Sequence, residues 1–256
     1  MRRFFGSLLL TVGMSFAHFL VVKPDSDIVR KPVIKVESEF THPAEGYPAM
    51  HYQIERSGVF VNGRIYPIEW QKGYIPAEPG SDLKVEKYTA TVRLHGPGVY
   101  QIFVEQKPYF EPTEEQFIQQ IAKVYVSAFG WEEGWRKPIG LPVEIVPLTR
   151  PFGLWEGNTF VGQVLKNGKP VPYARVEIEY YNSKGVKYPN ELLYTQVVKT
   201  DQNGVFIYTV PWSGWWGFAA ITHSGEVKNP SDGKEYPLEL DAVVWIYAYP
   251  KPQGVR

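Results

Sequence analysis

The chain has 256 residues, with 27 basic and 27 acidic side chains and no cysteine. That length suits one large or two ordinary domains, and the charge balance leaves no basic surplus for binding nucleic acid or an anionic membrane surface. Without thiols there are no disulfides, thiolate metal sites, cysteine nucleophiles or lipoprotein anchor, so any metal site must use nitrogen, oxygen or thioether ligands. Aromatic residues make up 15% of the chain, beside 23 glycines and 22 prolines, a composition rich in turns and strand formers.

In chain order, Arg2 and Arg3 form a positive n-region and residues 4–12 an apolar stretch. Ser15 and Ala17 are small residues at the −3 and −1 positions of a cleavage site. This pattern predicts a secretory signal peptide over residues 1–17, too short to span a bilayer as a helix. No later stretch is apolar for long enough to span, so the expectation is a soluble, periplasmic mature chain beginning at His18.

Residues 18–138 read as a first β domain. Residues 33–40 end in an alternating pattern, and residues 41–51 form a loop by their Pro and Gly content. Asn62-Gly63 between two apolar triplets is a hairpin signal, because Asn-Gly supplies the positive φ angles of a type I′ turn. Imperfect alternation runs from Leu83 to Leu94, and Pro97-Gly98 turns the chain into another strand. Over residues 113–128 a capping box (Thr113, Gln116) and helical spacing of Phe117, Ile121 and Val124 compete with the strand-forming Val124-Tyr125-Val126. The expectation there is a short helix or irregular turn entering a strand.

Residues 130–140 read as a linker. Residues 139–256 then form a second domain, with strand candidates at 142–148, 159–166, 171–181, 193–200, 205–210, 215–222 and 240–249. Asn167-Gly168 and residues 201–204 are assigned hairpin turns. Seven short strands punctuated by turns predict an immunoglobulin-like sandwich, and the whole chain reads as all-β, two β-sandwich-like domains.

No G-x-S-x-G, P-loop or G-x-G-x-x-G motif is present, and no catalytic residue is assigned. Trp212, Trp215, Trp216 and Phe218 read as strand and core packing in preference to a sugar-stacking platform. Of the five histidines, His95 and His223 read as structural or exposed. His18 differs, because cleavage after Ala17 would place a free α-amine beside its imidazole, and the two nitrogens can chelate one borderline divalent ion such as Ni²⁺, Co²⁺ or Cu²⁺. His42 and His51 share one Pro-rich loop with Met50, and each reads either as a further ligand or as a plain loop residue.

These residues also resemble a known family. Ala17-His18-Phe19-Leu20, Phe40-Thr41-His42-Pro43 followed by Met50, Gly140 to Leu148, Asn167 to Val171, Gly214 to Ala220 and Ala242 to Trp245 together resemble the periplasmic nickel-uptake proteins that accompany energy-coupling-factor-type nickel/cobalt transporters. The resemblance implies a protein that is not an enzyme, binds nickel or cobalt, and passes the ion to transporter subunits. It implies His18 and His42 as ligands, with His51 or Met50 completing a tetragonal site. The family's usual methionine after His-Pro is Ala44 here. Two other readings stay open: a copper histidine-brace oxidative enzyme, and an exported adhesion or sugar-binding module without metal.

Overall fold

The computed structural model describes residues 18–252 and Gly254. The signal-peptide reading falls on residues 1–17, outside the described residues. Twenty strands follow in order. The N-terminal half contributes β1 (Phe19–Pro24), β2 (Ile28–Val29), β3 (Val33–Thr41), β4 (Ile54–Val61), β5 (Arg64–Tyr66), β6 (Trp70–Pro76), β7 (Lys84–Arg93), β8 (Gly98–Gln106), β9 (Tyr109–Glu111) and β10 (Gln116–Ala128). The C-terminal half contributes β11 (Val143–Pro147), β12 (Leu154–Trp155), β13 (Thr159–Lys166), β14 (Lys169–Pro170), β15 (Arg175–Tyr180), β16 (Gln196–Lys199), β17 (Val205–Thr209), β18 (Gly214–Ala220), β19 (His223–Lys228) and β20 (Glu235–Tyr249).

The fold is all-β and stacks three layers. A central sheet runs β16-β15-β18-β20-β10-β8-β4-β5, with β2, β9, β12 and β19 at its margins. The sheet β1-β3-β7-β6 covers one face, and a sheet of β11-β13-β14 with β17 on β13 covers the other. The two halves of the chain join where β10 and β20 pair in parallel, from Phe117↔Leu238 to Val124↔Trp245. Within the C-terminal half, β11-β13-β17 faces β16-β15-β18-β20, a Greek-key arrangement of three strands on four that makes this sandwich immunoglobulin-like.

Alternation along the shared strands feeds both cores. Ala122, Val124, Val126, Ala219, Val243 and Trp245 pack into the first core. Ile121, Tyr125, Trp216, Phe218, Ala220, Ala242, Val244 and Ile246 pack into the second. A sheet covered on both faces needs apolar residues at successive positions, which is why residues 242–246 read as an unbroken apolar run.

Several expectations are corrected. Residues 112–115 are a turn and residues 116–128 strand throughout, so the turn entering a strand is what forms and the short helix is absent; helical spacing lost because every second residue faces a different core. Among the described residues the helical element is one 3₁₀ turn, Glu191–Leu193, in the other half. Asn62-Gly63 and Asn167-Gly168 do make hairpins, with φ values of 51° and 81°, and 50° and 72°. Residues 201–204 do not: they carry the chain from β16 in the central sheet to β17 in the outer one. Trp216 and Phe218 are core residues, as read. Among the described residues no helix is long and apolar enough to cross a membrane.

Candidate metal centre

His18 leads directly into β1, which pairs with β3 along one edge and is held on its main chain by side chains of the central sheet. The carboxamide of Gln120, on β10, spans two residues of this strand. Its Nε2 donates to the His18 carbonyl at 2.7 Å, and its Oε1 accepts from the Leu20 N–H at 2.7 Å. Trp245 Nε1 donates to the Leu20 carbonyl at 3.0 Å. Gln120 Nε2 also reaches Asp241 Oδ2 at 3.2 Å. Burial, together with the neighbouring Glu239 carboxylate, pushes the Asp241 carboxyl well above its ordinary range.

The antiparallel register of β1 on β3 ends with Phe19 opposite Thr41. One step further, His18 faces His42, and cross-strand neighbours touch. The two imidazole centroids lie 4.4 Å apart with their planes at 45°. Tyr109, from β9, places its hydroxyl 3.1 Å from His18 Nδ1, with its ring perpendicular to the imidazole. Phe40 closes the apolar side, 5.7 Å from His18 and 5.2 Å from Tyr109. Burial holds the His18 imidazole below its usual range despite Glu111 nearby, which favours the neutral ring, the metal-ligating form. Burial and surrounding carboxylates, Glu111 foremost, push the Tyr109 hydroxyl far up, so it is a neutral phenol at physiological pH.

His42 is buried, on a loop fastened to the C-terminal half. The Asn182 N–H donates to the Pro43 carbonyl at 2.9 Å, and Asn182 Nδ2 donates to the Ala44 carbonyl at 2.9 Å. The Ala44 N–H donates to Glu179 Oε2 at 3.1 Å. Burial pushes the Glu179 carboxyl up to about 8, which keeps it largely protonated at neutral pH. The Gly46 N–H closes the turn onto the His42 carbonyl at 2.8 Å, with Gly46 at φ +81°, a conformation that disfavours a side chain.

The other predicted residues are placed differently. His51 is exposed, and its Nδ1 pairs with Glu86 at 2.7 Å. Met50 donates its N–H to the Phe40 carbonyl at 2.8 Å and rests its side chain on the N-terminal core. The structure thus brings His18 to His42 and engages His51 elsewhere. No group of three or more His, Asp or Glu side chains among the described residues is arranged to hold a metal. The donors present are two imidazoles and a phenol, to which cleavage after Ala17 would add the His18 α-amine. Sequence reasoning missed Tyr109, Gln120, Glu179 and Asn182. A glutamine inside the apolar run of β10 was the one available signal, since a polar side chain buried in a sheet must find partners.

A family model described as a domain of unknown function, DUF4198, matches residues 15–224. The chain belongs to this family. The match takes in β1, the His42 loop, β9, β10 and β15, so every residue of the candidate centre described above except Glu239, Asp241 and Trp245 falls within the DUF4198 region. No curated protein matches the chain. Among solved structures, the chain is similar to a variant of BcpA, the major pilin subunit of Bacillus cereus. The two share 10% identity over 87% of this chain and 66% of that one, with a TM-score of 0.22. BcpA itself gives 9% identity over 91% of this chain and 71% of that one, with a TM-score of 0.23. The D00-D0 domain of intimin gives 12% identity over 91% of this chain and 100% of that one, with a TM-score of 0.22. The chain spans just under two thirds of the length of the first pilin structure. Overlaps at these scores add nothing to the description of this fold or its function.

Proposed function

We propose that this is an exported, non-catalytic metal-binding protein that captures nickel or cobalt and hands the ion to a membrane nickel/cobalt transporter of the energy-coupling-factor type. The observation that carries the reading is the meeting of His18 and His42 at 4.4 Å, with the Tyr109 hydroxyl on His18 Nδ1. Export cleavage after Ala17 would free an α-amine on the same residue. Amine and Nδ1 of His18 then chelate one ion, and the His42 imidazole supplies a third nitrogen. Three nitrogens suit the tetragonal preference of Ni²⁺ and also of Cu²⁺. The neutral His18 ring needs no proton removed before binding. A site of few protein ligands at the start of the mature chain also suits an ion that must be released to a partner.

Copper is the second reading, favoured by Tyr109. A chelating N-terminal histidine, a second imidazole and a neutral phenol together form a histidine-brace donor set, and copper so held reacts with oxygen. Hydrogen peroxide formation with copper and a reductant supports the oxidative enzyme; tight nickel binding without it supports the carrier.

The experiment is a nickel titration by calorimetry on two forms of the protein. One begins at His18, and the other carries one extra residue ahead of it. Tight binding by the first form alone supports the reading. Equal binding by both, or by neither, overturns it.

A further inference from the structure

The C-terminal sandwich contains a second concave site, remote in sequence from His18. Its two sheets part between β16 and β17, each of which pairs with a neighbour on one side only. The gap is a cavity of about 470 Å³ whose walls include Tyr180, Tyr188, Tyr194, Tyr208, Trp212 and Trp216. The rings pack tightly: Trp212 and Trp216 centroids are 5.0 Å apart, Tyr180 and Trp216 5.3 Å, and Tyr188 and Tyr194 meet edge-on at 5.1 Å. Lys187 is the one charged residue in the lining, with Gln196 and Thr209 as uncharged polar neighbours.

Three polar atoms of the lining residues stand out. The indole N–H of Trp216 is satisfied by the Trp212 carbonyl at 2.9 Å. The indole N–H of Trp212 and the hydroxyls of Tyr180 and Tyr188 have no hydrogen-bond partner, although all three atoms are buried. An unsatisfied buried donor is costly and rare in a native protein. Finding three among the residues of one apolar cavity is the arrangement expected of a ligand site, where a few polar groups fix the orientation of an apolar guest.

We propose that this cavity binds a planar, largely apolar ring compound carrying oxygen acceptors, of the quinone or aromatic-ketone class. The flat aromatic walls select the ring. Trp212 Nε1 can only donate, so the guest must offer an acceptor there, and a carbonyl oxygen meets that need. A second oxygen would take the Tyr188 hydroxyl, which burial keeps protonated by pushing its pKa up to about 12. A sugar fits less well, because its several hydroxyls would face walls that are mostly hydrocarbon.

The test uses menadione, a quinone, against 2-methylnaphthalene, which keeps the fused rings and methyl group but lacks both oxygens. Binding to the whole protein is followed by saturation-transfer NMR and calorimetry. Menadione is expected to bind saturably at one site, about tenfold or more tighter than 2-methylnaphthalene. Trp212→Phe keeps a ring and removes the donor. It should weaken menadione about tenfold and leave the hydrocarbon unchanged. Leu193→Arg, at a rim position already 40% exposed, should block both compounds while the protein stays folded by circular dichroism. Equal affinity for the two compounds, no response to Trp212→Phe, or no saturable binding of menadione overturns the proposal.

Discussion

Phe19 lies opposite Thr41 in the ladder between β1 and β3, and that pairing decides where the two histidines meet. Moving the register by one residue would turn Phe19, Val21 and their neighbours to the opposite face and take His18 away from His42. The register is pinned by Gln120, whose carboxamide bonds both His18 and Leu20. Gln120→Leu is therefore expected to cost about 1–3 kcal/mol of stability by stranding the Leu20 N–H, and to weaken nickel binding as well. Urea unfolding and metal titration of the same sample measure the two effects together.

The histidines separate cleanly. His42→Ala should abolish tight nickel binding, because it removes the imidazole facing His18. His51→Ala should leave the affinity within about twofold, because that ring is exposed and occupied by Glu86, and a surface pair of this kind is worth at most about 1 kcal/mol to stability. Calorimetry on the form beginning at His18 checks both. Loss of tight binding in His51→Ala would move the site to the loop beyond Pro48.

Glu179 gives a pH dependence with a definite sign. Its folded pKa is about 8 against an ordinary value of 4.5, so the folded protein retains a proton that the unfolded chain has lost between those values. The favourable contribution is complete below pH 4.5 and is lost as pH rises through 8. At on the order of 1.4 kcal/mol per pH unit, stability should fall by a few kcal/mol between pH 5 and pH 8. Glu179→Gln keeps an oxygen for the Ala44 N–H and should flatten that slope. Urea unfolding at pH 5, 7 and 9 on both proteins reads it directly.

Lys123 and Glu144 form an ion pair at 2.7 Å with side chains 1% and 2% exposed. Glu144 also accepts the N–H groups of Ile139 and Gly140, at 3.1 and 2.9 Å. Lys123→Met alone leaves a buried carboxylate unpaired and is expected to cost about 3–5 kcal/mol. Adding Glu144→Gln should recover part of that loss, since its one amide oxygen can still accept from one of the two N–H groups entering β11. Adding Glu144→Leu should not, because both N–H groups are then orphaned. Thermal melts of the three variants distinguish these outcomes.

The Asn182 clamp explains how the two halves of the chain build one site. Asn182 holds Pro43 and Ala44 from the C-terminal half, while Gln120 holds His18 and Leu20 from the N-terminal half. Gln120 in an apolar run signals only that a buried amide must find partners, and nothing around Asn182 signals its role, because each acts on a segment a hundred or more positions away. Tyr109 escaped notice for the same reason: it follows a proline in a short polar stretch, and only the pairing of β9 with β10 directs it to His18.

Local chemistry is legible from sequence when neighbouring residues suffice to cause it. The Asn-Gly turns formed because two adjacent residues tolerate positive φ. The strand-rich, sandwich-forming character followed from alternation and turn spacing, and the proposed pairing of an amine with an imidazole at His18 would follow from cleavage at one position. Tertiary structure decided the rest. It turned residues 116–128 into strand against their helical spacing, since a sheet buried on both faces accepts apolar side chains at every position. It also chose His42 over His51 as the partner of His18, because strand register and long-range hydrogen bonds fix distances that spacing along the chain does not.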